Sequence, residues 1–311
     1  MIGRGAVAIW AVLFLAGSWE VGFGQPKVKP GLKPQPQSGL AEANRLLERG
    51  TAYVRLGNLV EAIKTFKQAL QKNPRLTAAH YNLGLALAQT GQLPQAIASF
   101  EQVIQLDPQF ALAHSNLGAA LLQSGRLDQA ILRLQRAVQI DPRLAIAHYN
   151  LGLALAAKKN LDGAVLALRR ALELASDAPE TNYNLALLLQ QRGDLIEAIA
   201  LYRRATELNP NYADAHFNLG AALMLQADLP NYPARAANLD SAVRSLQQAI
   251  KLRPDYANAH YVLGVALGRQ GKKEQAIAAF SQAQNWFSQQ KKTDWAQASA
   301  TQIQRLRQPV K

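Results

Sequence analysis

Cysteine is absent from this chain of 311 residues. Without thiols the protein can form neither a disulfide framework nor a thiolate metal site, and the absence is compatible with an oxidising compartment. Catalytic patterns are also lacking, because the chain has no phosphate-binding glycine loop, no His-Glu-x-x-His motif and no recognisable combination of nucleophile, histidine and acid. We therefore expect a protein that is not an enzyme and that uses no cofactor.

Acidic residues are scarce, with 21 against 34 Lys and Arg, and the formal net charge is +13. Residues 25–76 and 257–311 contribute +7 and +6, whereas residues 77–256 carry fifteen charges of each sign. An elongated protein that binds nucleic acid would carry its positive charge along its whole length, whereas this chain carries it only near its two ends. We therefore expect no nucleic-acid partner. The basic ends leave two interpretations open: solvated ends of a protein, or anchoring to an anionic membrane or wall polymer.

The first 24 residues differ in composition from the rest. Arg4 precedes an apolar run at residues 6–17, and small residues with the spacing for signal peptidase follow. The run is shorter than the roughly 20 residues that span a bilayer. We expect a signal peptide over residues 1–24, so that the protein is exported and either periplasmic or secreted; the alternative is an uncleaved anchor formed by residues 6–23 and facing the same compartment. The proline-rich residues 25–42 are expected to form an extended linker.

Seven copies of one 34-residue pattern fill residues 43–290. The third copy reads ALAHSNLGAALLQSGRLDQAILRLQRAVQIDPRL, and the copies on either side keep its register without a gap. A fixed period of this length predicts a solenoid, in which each unit buries its apolar face against its neighbours. The repeats span 43–76, 77–110, 111–144, 145–178, 179–212, 213–256 and 257–290. The sixth carries ten extra residues within Asp228–Asn238, which we expect to form a loop between its helices or, alternatively, a second contact point.

Each repeat predicts a pair of helices. Position 1 is Thr77, Ala111 or Ala145 in repeats two to four, and apolar residues at positions 4, 7, 8, 11, 17, 20, 21, 24, 27 and 28 follow helical spacing. Glycine at position 15 ends the first helix, and Asp-Pro or Asn-Pro at positions 31–32 ends the second. Residues expected to serve helix packing are Gly84, Gly118, Gly152, Ala96, Ala130, Ala164, Pro108 and Pro142. The sequence thus predicts an all-α array of seven antiparallel helix pairs, followed at residues 291–311 by a capping helix and tail.

This set of residues resembles the tetratricopeptide repeat, whose signature combines an aromatic residue, Leu-Gly and Tyr with a later Ala, Phe and Pro. The departures are local: Ser176 replaces the proline, and Lys159 and Ala227 replace the glycine. The Asn-Leu-Gly segments are similar to the repeats of O-linked N-acetylglucosamine transferase, but the chain has no transferase domain. The resemblance implies a right-handed superhelical solenoid whose first helices line a concave groove. It also implies a protein that binds peptides or other proteins and has no chemistry of its own.

Positions 2, 5, 6, 9 and 13 of the first helices form a face with few charges, which the resemblance places in the groove. Asparagine recurs there at position 6 and an aromatic residue at position 5. A row of amides can donate to and accept from an extended backbone, and aromatic rings supply contact area. The residues predicted to bind a peptide are Tyr81, Asn82, Asn116, Tyr149, Asn150, Tyr183, Asn184, Phe217, Asn218 and Tyr261. The alternative is that these side chains pack or form bridges within the array.

All five histidines occupy position 4, on the packed face of the first helix. Successive histidines would lie about 10 Å apart, since helices pack at 8–10 Å. A zinc ion binds its ligands at about 2.1 Å, so two of these imidazoles cannot share one, and we expect no metal site.

The expected function is that of an exported, non-enzymatic scaffold or adaptor. Its partner is expected to be a protein or peptide whose extended, neutral or apolar segment lies in the groove. The alternative is a structural envelope component that docks to anionic membrane or wall polymer through its basic ends.

Overall fold

The computed structural model describes residues 37–230 and 233–308. The expected signal peptide and most of the expected linker lie outside these residues. Fifteen α-helices and no strand occur in the described part, which confirms the all-α fold. The first helix begins at Gln37, so residues 37–42 are helical rather than part of the linker, because no proline follows Pro36 to interrupt them.

The chain divides into two compact units, of which unit 1 is Met1–Ala175. Its helices are α1 (Gln37–Arg55), α2 (Leu59–Lys72), α3 (Thr77–Gln89), α4 (Leu93–Leu106), α5 (Ala111–Gln123), α6 (Leu127–Ile140), α7 (Ala145–Ala157) and α8 (Leu161–Leu174). Each first helix, which has an odd number, packs against the second helix that follows it, and that second helix packs against the next first helix. Within this unit, successive first helices contact one another more extensively than successive second helices do. The first helices therefore form the inner layer of unit 1.

Unit 2 is Ser176–Lys311 and repeats the same arrangement. Its helices are α9 (Pro179–Arg192), α10 (Leu195–Leu208), α11 (Ala213–Ala227), α12 (Arg235–Leu252), α13 (Ala257–Arg269), α14 (Lys273–Gln289) and α15 (Thr293–Arg307). The helix α15 packs against α14 and buries Ser299 and Ile303. Its Trp295 ring stacks on Phe287 with a centroid distance of 5.7 Å. The prediction of seven helix pairs followed by one further helix is confirmed for the described residues.

Glycine ends the first helices as predicted. The residues at position 15 with positive φ, between +72° and +99°, are Gly57, Gly91, Gly125, Gly193 and Gly271. Lys159 takes the same position in the fourth repeat with a φ of +62°, a conformation that costs a residue with a Cβ about 1–2 kcal/mol. The turn geometry is thus kept in the fourth repeat without the glycine, whereas Ala227, which replaces the glycine in the sixth repeat, is the last residue of α11.

Glycine at position 8 brings the two helices of a repeat into close contact. A methyl group on Gly118 would lie 2.5 Å from Leu134 Cγ, and Leu134 has no exposed surface. The corresponding distances are 2.7 Å for Gly84 against Phe100 and for Gly152 against Leu168. On the second helices, Ala96, Ala130 and Ala164 are fully buried. These small residues therefore set the separation between the helices.

The insertion of the sixth repeat is not entirely a loop. The helix α12 begins at Arg235, so residues 235–238 extend that helix, consistent with the helix propensity of Arg and Ala. The side-chain amide of Asn238 donates to Gln226 Oε1 at 2.6 Å, and Asp228 forms an ion pair with Arg269. The expectation of a loop is therefore wrong for residues 235–238, and both ends of the insertion are held to neighbouring helices.

Candidate functional site

Position 6 of one first helix is bonded to position 5 of the preceding one. The Nδ2 atom of Asn116 donates to the Tyr81 hydroxyl at 3.0 Å, and that of Asn218 donates to the Tyr183 hydroxyl at 2.9 Å. In both cases the residues are 35 apart in sequence. These bonds connect neighbouring repeats within each unit.

The tyrosines that accept these bonds are held by aromatic neighbours. The Tyr81 ring lies 5.0 Å from that of Phe110, and the Tyr183 ring lies 4.8 Å from that of Tyr212. Burial raises the pKa of both Tyr81 and Tyr183 to about 12. Both hydroxyls therefore remain protonated at neutral pH, and their oxygens can accept hydrogen bonds from the asparagines.

Most of the predicted peptide-binding residues have little exposed surface. Those exposed by 8% or less are Tyr81, Asn82, Asn116, Tyr149, Asn150, Tyr183 and Asn184. The remaining residues, Phe217, Asn218 and Tyr261, are half-buried. Of the other amides, Asn82 donates to the Thr51 hydroxyl at 3.5 Å and Asn184 to the Glu180 carbonyl at 3.0 Å. The bonds of Asn116 and Asn218 agree with the alternative interpretation, in which these side chains form bridges within the array. Contact of the predicted peptide-binding residues with a partner stays a prediction.

Asn150 differs from the other position-6 asparagines. Its Nδ2 and Oδ1 atoms and the hydroxyl of Ser115 have no hydrogen-bond partner, and both residues have no exposed surface. The cause lies 35 residues before Asn150, where Ser115 replaces the tyrosine of position 5 and no phenol is available. A buried polar group without a partner costs about 1–3 kcal/mol. The side chains of Ser115 and Asn150 therefore destabilise unit 1 and remain able to form hydrogen bonds.

The first helices α3, α5 and α7 contain no Asp, Glu, Lys or Arg. Their surface lies mainly at their ends, where Leu112 and Ile146 at position 2 are half-buried and Gln89 at position 13 is exposed. These three helices can offer apolar and amide contacts, but they hold no carboxylate, ammonium or guanidinium group that would fix a charged ligand.

The histidines have a common partner that sequence reasoning missed. Each donates from Nε2 to the carbonyl of the proline six residues earlier, at 2.9–3.2 Å. The pairs are His80 with Pro74, His114 with Pro108, His148 with Pro142, His216 with Pro210 and His260 with Pro254. The sequence holds a signal: where Ser176 replaces the proline at the end of the fourth repeat, Asn182 replaces the histidine six residues later, in the fifth repeat. The histidines thus stabilise the turn between successive repeats.

Residues 37–230 and 233–308 contain no group of three or more His, Cys, Asp or Glu side chains that could hold a metal ion. They also contain no helix that is both long and apolar enough to cross a membrane.

Comparison with known families matches most of the repeats. Sequence models described as tetratricopeptide repeat match residues 47–109, 99–132, 145–177 and 257–290. A further one, described as TPR repeat, matches residues 119–159, 187–226 and 238–271. Together they span well over half of the chain. No curated protein sequence matches it.

Solved structures from several bacteria share the fold. PilF of Pseudomonas aeruginosa is 21% identical, with 71% of this chain and 96% of that chain covered and a TM-score of 0.60. A tetratricopeptide repeat protein of Parabacteroides merdae is 18% identical, with coverages of 84% and 99% and a TM-score of 0.57. MamA of Desulfovibrio magneticus is 24% identical, with coverages of 55% and 97% and a TM-score of 0.50. At these identities the likeness concerns the fold alone.

Proposed function

The chain belongs to the tetratricopeptide repeat family, and we propose that it is an exported adaptor that holds an extended segment of a partner protein against the first helices of unit 1. Proteins of this family bind other proteins or peptides and generally act as non-enzymatic scaffolds. The features particular to this chain are the location of the site and the neutral or apolar chemistry of the bound segment.

The lack of charge on α3, α5 and α7 supports a neutral or apolar partner segment. A charged segment would lose hydration at this surface and gain no counter-charge from these helices. Leu112 and Ile146 offer apolar contact, and Gln89 offers an amide.

The observation that carries the proposal is the unbonded pair of Ser115 and Asn150. Every residue of an extended segment, except proline, presents one N–H donor and one C=O acceptor. Because Asn150 has no exposed surface in the free protein, a segment over α5 and α7 reaches it only by displacing the side chains that cover it, and it then supplies the partners that Asn150 lacks. This contact needs no particular side chain on the segment, so the sequence of the segment is only loosely specified by it.

Photo-cross-linking in cells tests the proposal. A photoreactive residue replaces Ile146 on the first-helix layer, and a control replaces Leu166, which is 72% exposed on α8. We expect a discrete protein to be captured at Ile146 and not at Leu166. Equal capture at both positions would remove the support for a first-helix site and would favour docking through other surfaces, including the basic ends.

A peptide with the sequence of the captured segment then tests the site itself. We expect Asn150→Leu to weaken its binding about tenfold, because the leucine cannot bond to the backbone of the segment. Asn116→Leu is the matched control, since the amide of Asn116 is already bonded to Tyr81. Equal affinity for the wild type and Asn150→Leu would contradict the proposed contact.

Export is proposed from Arg4 and the apolar run at residues 6–17. Fractionation and mass spectrometry of the protein from its native cells test it. Cleavage near residue 24, or a protein retained on the outer side of the membrane, is expected. A full-length chain found in the cytoplasm would overturn this part of the proposal and leave the binding site unaffected.

A further inference from the structure

A second groove lies on the outer side of unit 1, between α4 and α6. Ile104 and Pro108 line it from the α4 side, and Leu132, Arg133 and Arg136 line it from α6. Leu132 is 63% exposed and presents its side chain to solvent. The groove therefore combines an apolar surface with two cationic side chains.

Neither arginine of this groove is neutralised within the described residues. In α8, Arg170 forms an ion pair with Glu173 at 2.8 Å, and in α10 Arg204 forms one with Glu207 at 3.3 Å. Arg136 occupies the corresponding position in α6, but the residue three places later is Gln139 instead of a glutamate. The groove thus lacks the carboxylate that the next two repeats supply for themselves.

His114 lies at the base of the groove and adds little positive charge. Burial lowers its pKa, and the neighbouring Arg133 and Arg136 lower it further, while the bond to the Pro108 carbonyl and the charge of Asp107 act in the opposite direction. The imidazole is therefore mainly neutral near pH 7. The groove therefore offers a ligand the charge of its two guanidinium groups, and the carboxylate of Asp107, which accepts a hydrogen bond from the Gln109 N–H, lies near its base.

We propose that this groove is a second docking surface, which binds an acidic, leucine-containing segment of a partner protein. A glutamate of the partner takes the place towards Arg136 that Glu173 takes towards Arg170, and an apolar side chain covers Leu132. Arginine suits this role because its planar group binds carboxylates through two parallel hydrogen bonds. The proposal does not depend on the first-helix site.

A flat anionic membrane fits the observations less well. Such a surface would require the uncompensated charge to continue along the outer helices, but in α8 Glu173 neutralises Arg170. In α6 itself, Asp128 is exposed and pairs with Lys158 at 2.8 Å. On α6, the uncompensated positive charge thus lies at Arg133 and Arg136, the two arginines of the groove, as expected for a short peptide ligand.

Binding of a defined peptide to the full-length protein tests the proposal. The probe is a fluorescein-labelled peptide in which Glu-Leu-Pro is repeated four times, and fluorescence anisotropy is measured at about 150 mM salt, where long-range attraction is screened. We expect the double variant Arg133→Gln with Arg136→Gln to weaken binding about tenfold or more. The matched control, Arg169→Gln with Arg170→Gln, removes the same charge from α8 and is expected to change affinity less than about twofold.

Further variants separate the apolar contribution from the ionic one. Leu132→Ser is expected to weaken binding about threefold or more without changing the salt dependence, whereas the same change at Leu166 is expected to have no effect. A control peptide with glutamine in place of glutamate is expected not to bind. Circular dichroism of each variant checks that the helices are intact.

Several outcomes would overturn the proposal. These are equal losses from the two arginine pairs, binding that survives loss of Arg133 and Arg136, and failure of the acidic probe to bind the wild-type protein. Binding to vesicles of phosphatidylcholine and phosphatidylserine that requires Arg133 and Arg136, without peptide binding, would show a lipid surface instead. Self-association that is lost with these two arginines, seen by analytical ultracentrifugation, would show that the occupant is a second copy of this chain.

Discussion

Replacing Gly118 by alanine tests whether the close approach of the two helices in a repeat is essential to the fold. The new methyl group would lie 2.5 Å from Leu134 Cγ, and Leu134 is fully buried and cannot move into solvent. Overpacking of this kind costs about 1–3 kcal/mol, while the change from glycine to alanine in a helix contributes about 1 kcal/mol in the opposite direction. The expected net loss in the free energy of unfolding is therefore between about 0 and 2 kcal/mol.

The same change at a second glycine serves as a control for the gain in helix propensity. Gly268 lies in α13, and the nearest atom to an added methyl group there is the Cβ of Ala276 at 3.9 Å, an ordinary contact. Because the propensity gain is common to both, we expect Gly118→Ala to be less stable than Gly268→Ala by about 1–3 kcal/mol. Urea denaturation followed by circular dichroism at 222 nm gives the difference. Equal stabilities would refute the conclusion that position 8 sets the helix separation.

A local reporter is needed beside the global measurement. Repeat arrays lose cooperativity and unfold in parts, so a single global transition does not report on α5 and α6 alone. Amide hydrogen exchange read by mass spectrometry resolves the helices. Faster exchange in α5 and α6 of Gly118→Ala, and not in α13 and α14, is the expected pattern.

Lys159→Gly should raise the free energy of unfolding by about 0.5–1 kcal/mol, because glycine adopts a φ of +62° without strain, and Gly125→Lys should lower it. Thermal melts of both variants check this, and melting temperatures equal to that of the wild type would contradict it. Asn150→Leu should leave the free protein as stable as the wild type or more stable, whereas Asn116→Leu should destabilise it by breaking the bond to a tyrosine; a stability loss for Asn150→Leu would show that its amide has a partner. The pKa of His114 is lowered in the folded state, so its contribution to stability is fully present above the unfolded pKa of about 6.5 and is lost as the pH falls from that value to the lower folded pKa. Substitution of His114 by asparagine, the natural residue at this position in the fifth repeat, should reduce the loss of stability between pH 7.5 and pH 5, and urea denaturation at both pH values would show an unchanged loss if this reasoning were wrong.

The repeat register could be predicted because its signals are local. The helices α3 and α5 end shortly before Gly91 and Gly125, and α4 and α6 end just before the Asp-Pro pairs, as the pattern predicts, since proline and glycine act within a few residues of the turns they form. The helix at residues 235–238 was not predicted, because the same composition is compatible with a loop.

The site could be predicted only in part. Composition identified the asparagines and tyrosines at positions 5 and 6, but whether an amide faces a partner or a neighbouring phenol depends on how adjacent helices are rotated. That rotation brings Asn116 to Tyr81 and cannot be read from one repeat. The bonds from histidine to proline were equally hidden, although the joint replacement at Ser176 and Asn182 is visible in the sequence.

The bond from position 6 reaches back 35 residues, one more than the length of the repeat. Whether the asparagine of one repeat is bonded therefore depends on the residue at position 5 of the repeat before it. The repeats are not interchangeable, even where their helices are alike. A duplicate of the third repeat, with Ser115, would leave another amide unbonded in whichever asparagine-bearing copy came next. A duplicate of the second repeat, with Tyr81, inserted between the third and fourth would place a phenol before Asn150 and remove its free amide. The order of the copies therefore decides where unbonded amides occur, and gain or loss of a repeat during evolution could move or remove a binding site without any substitution.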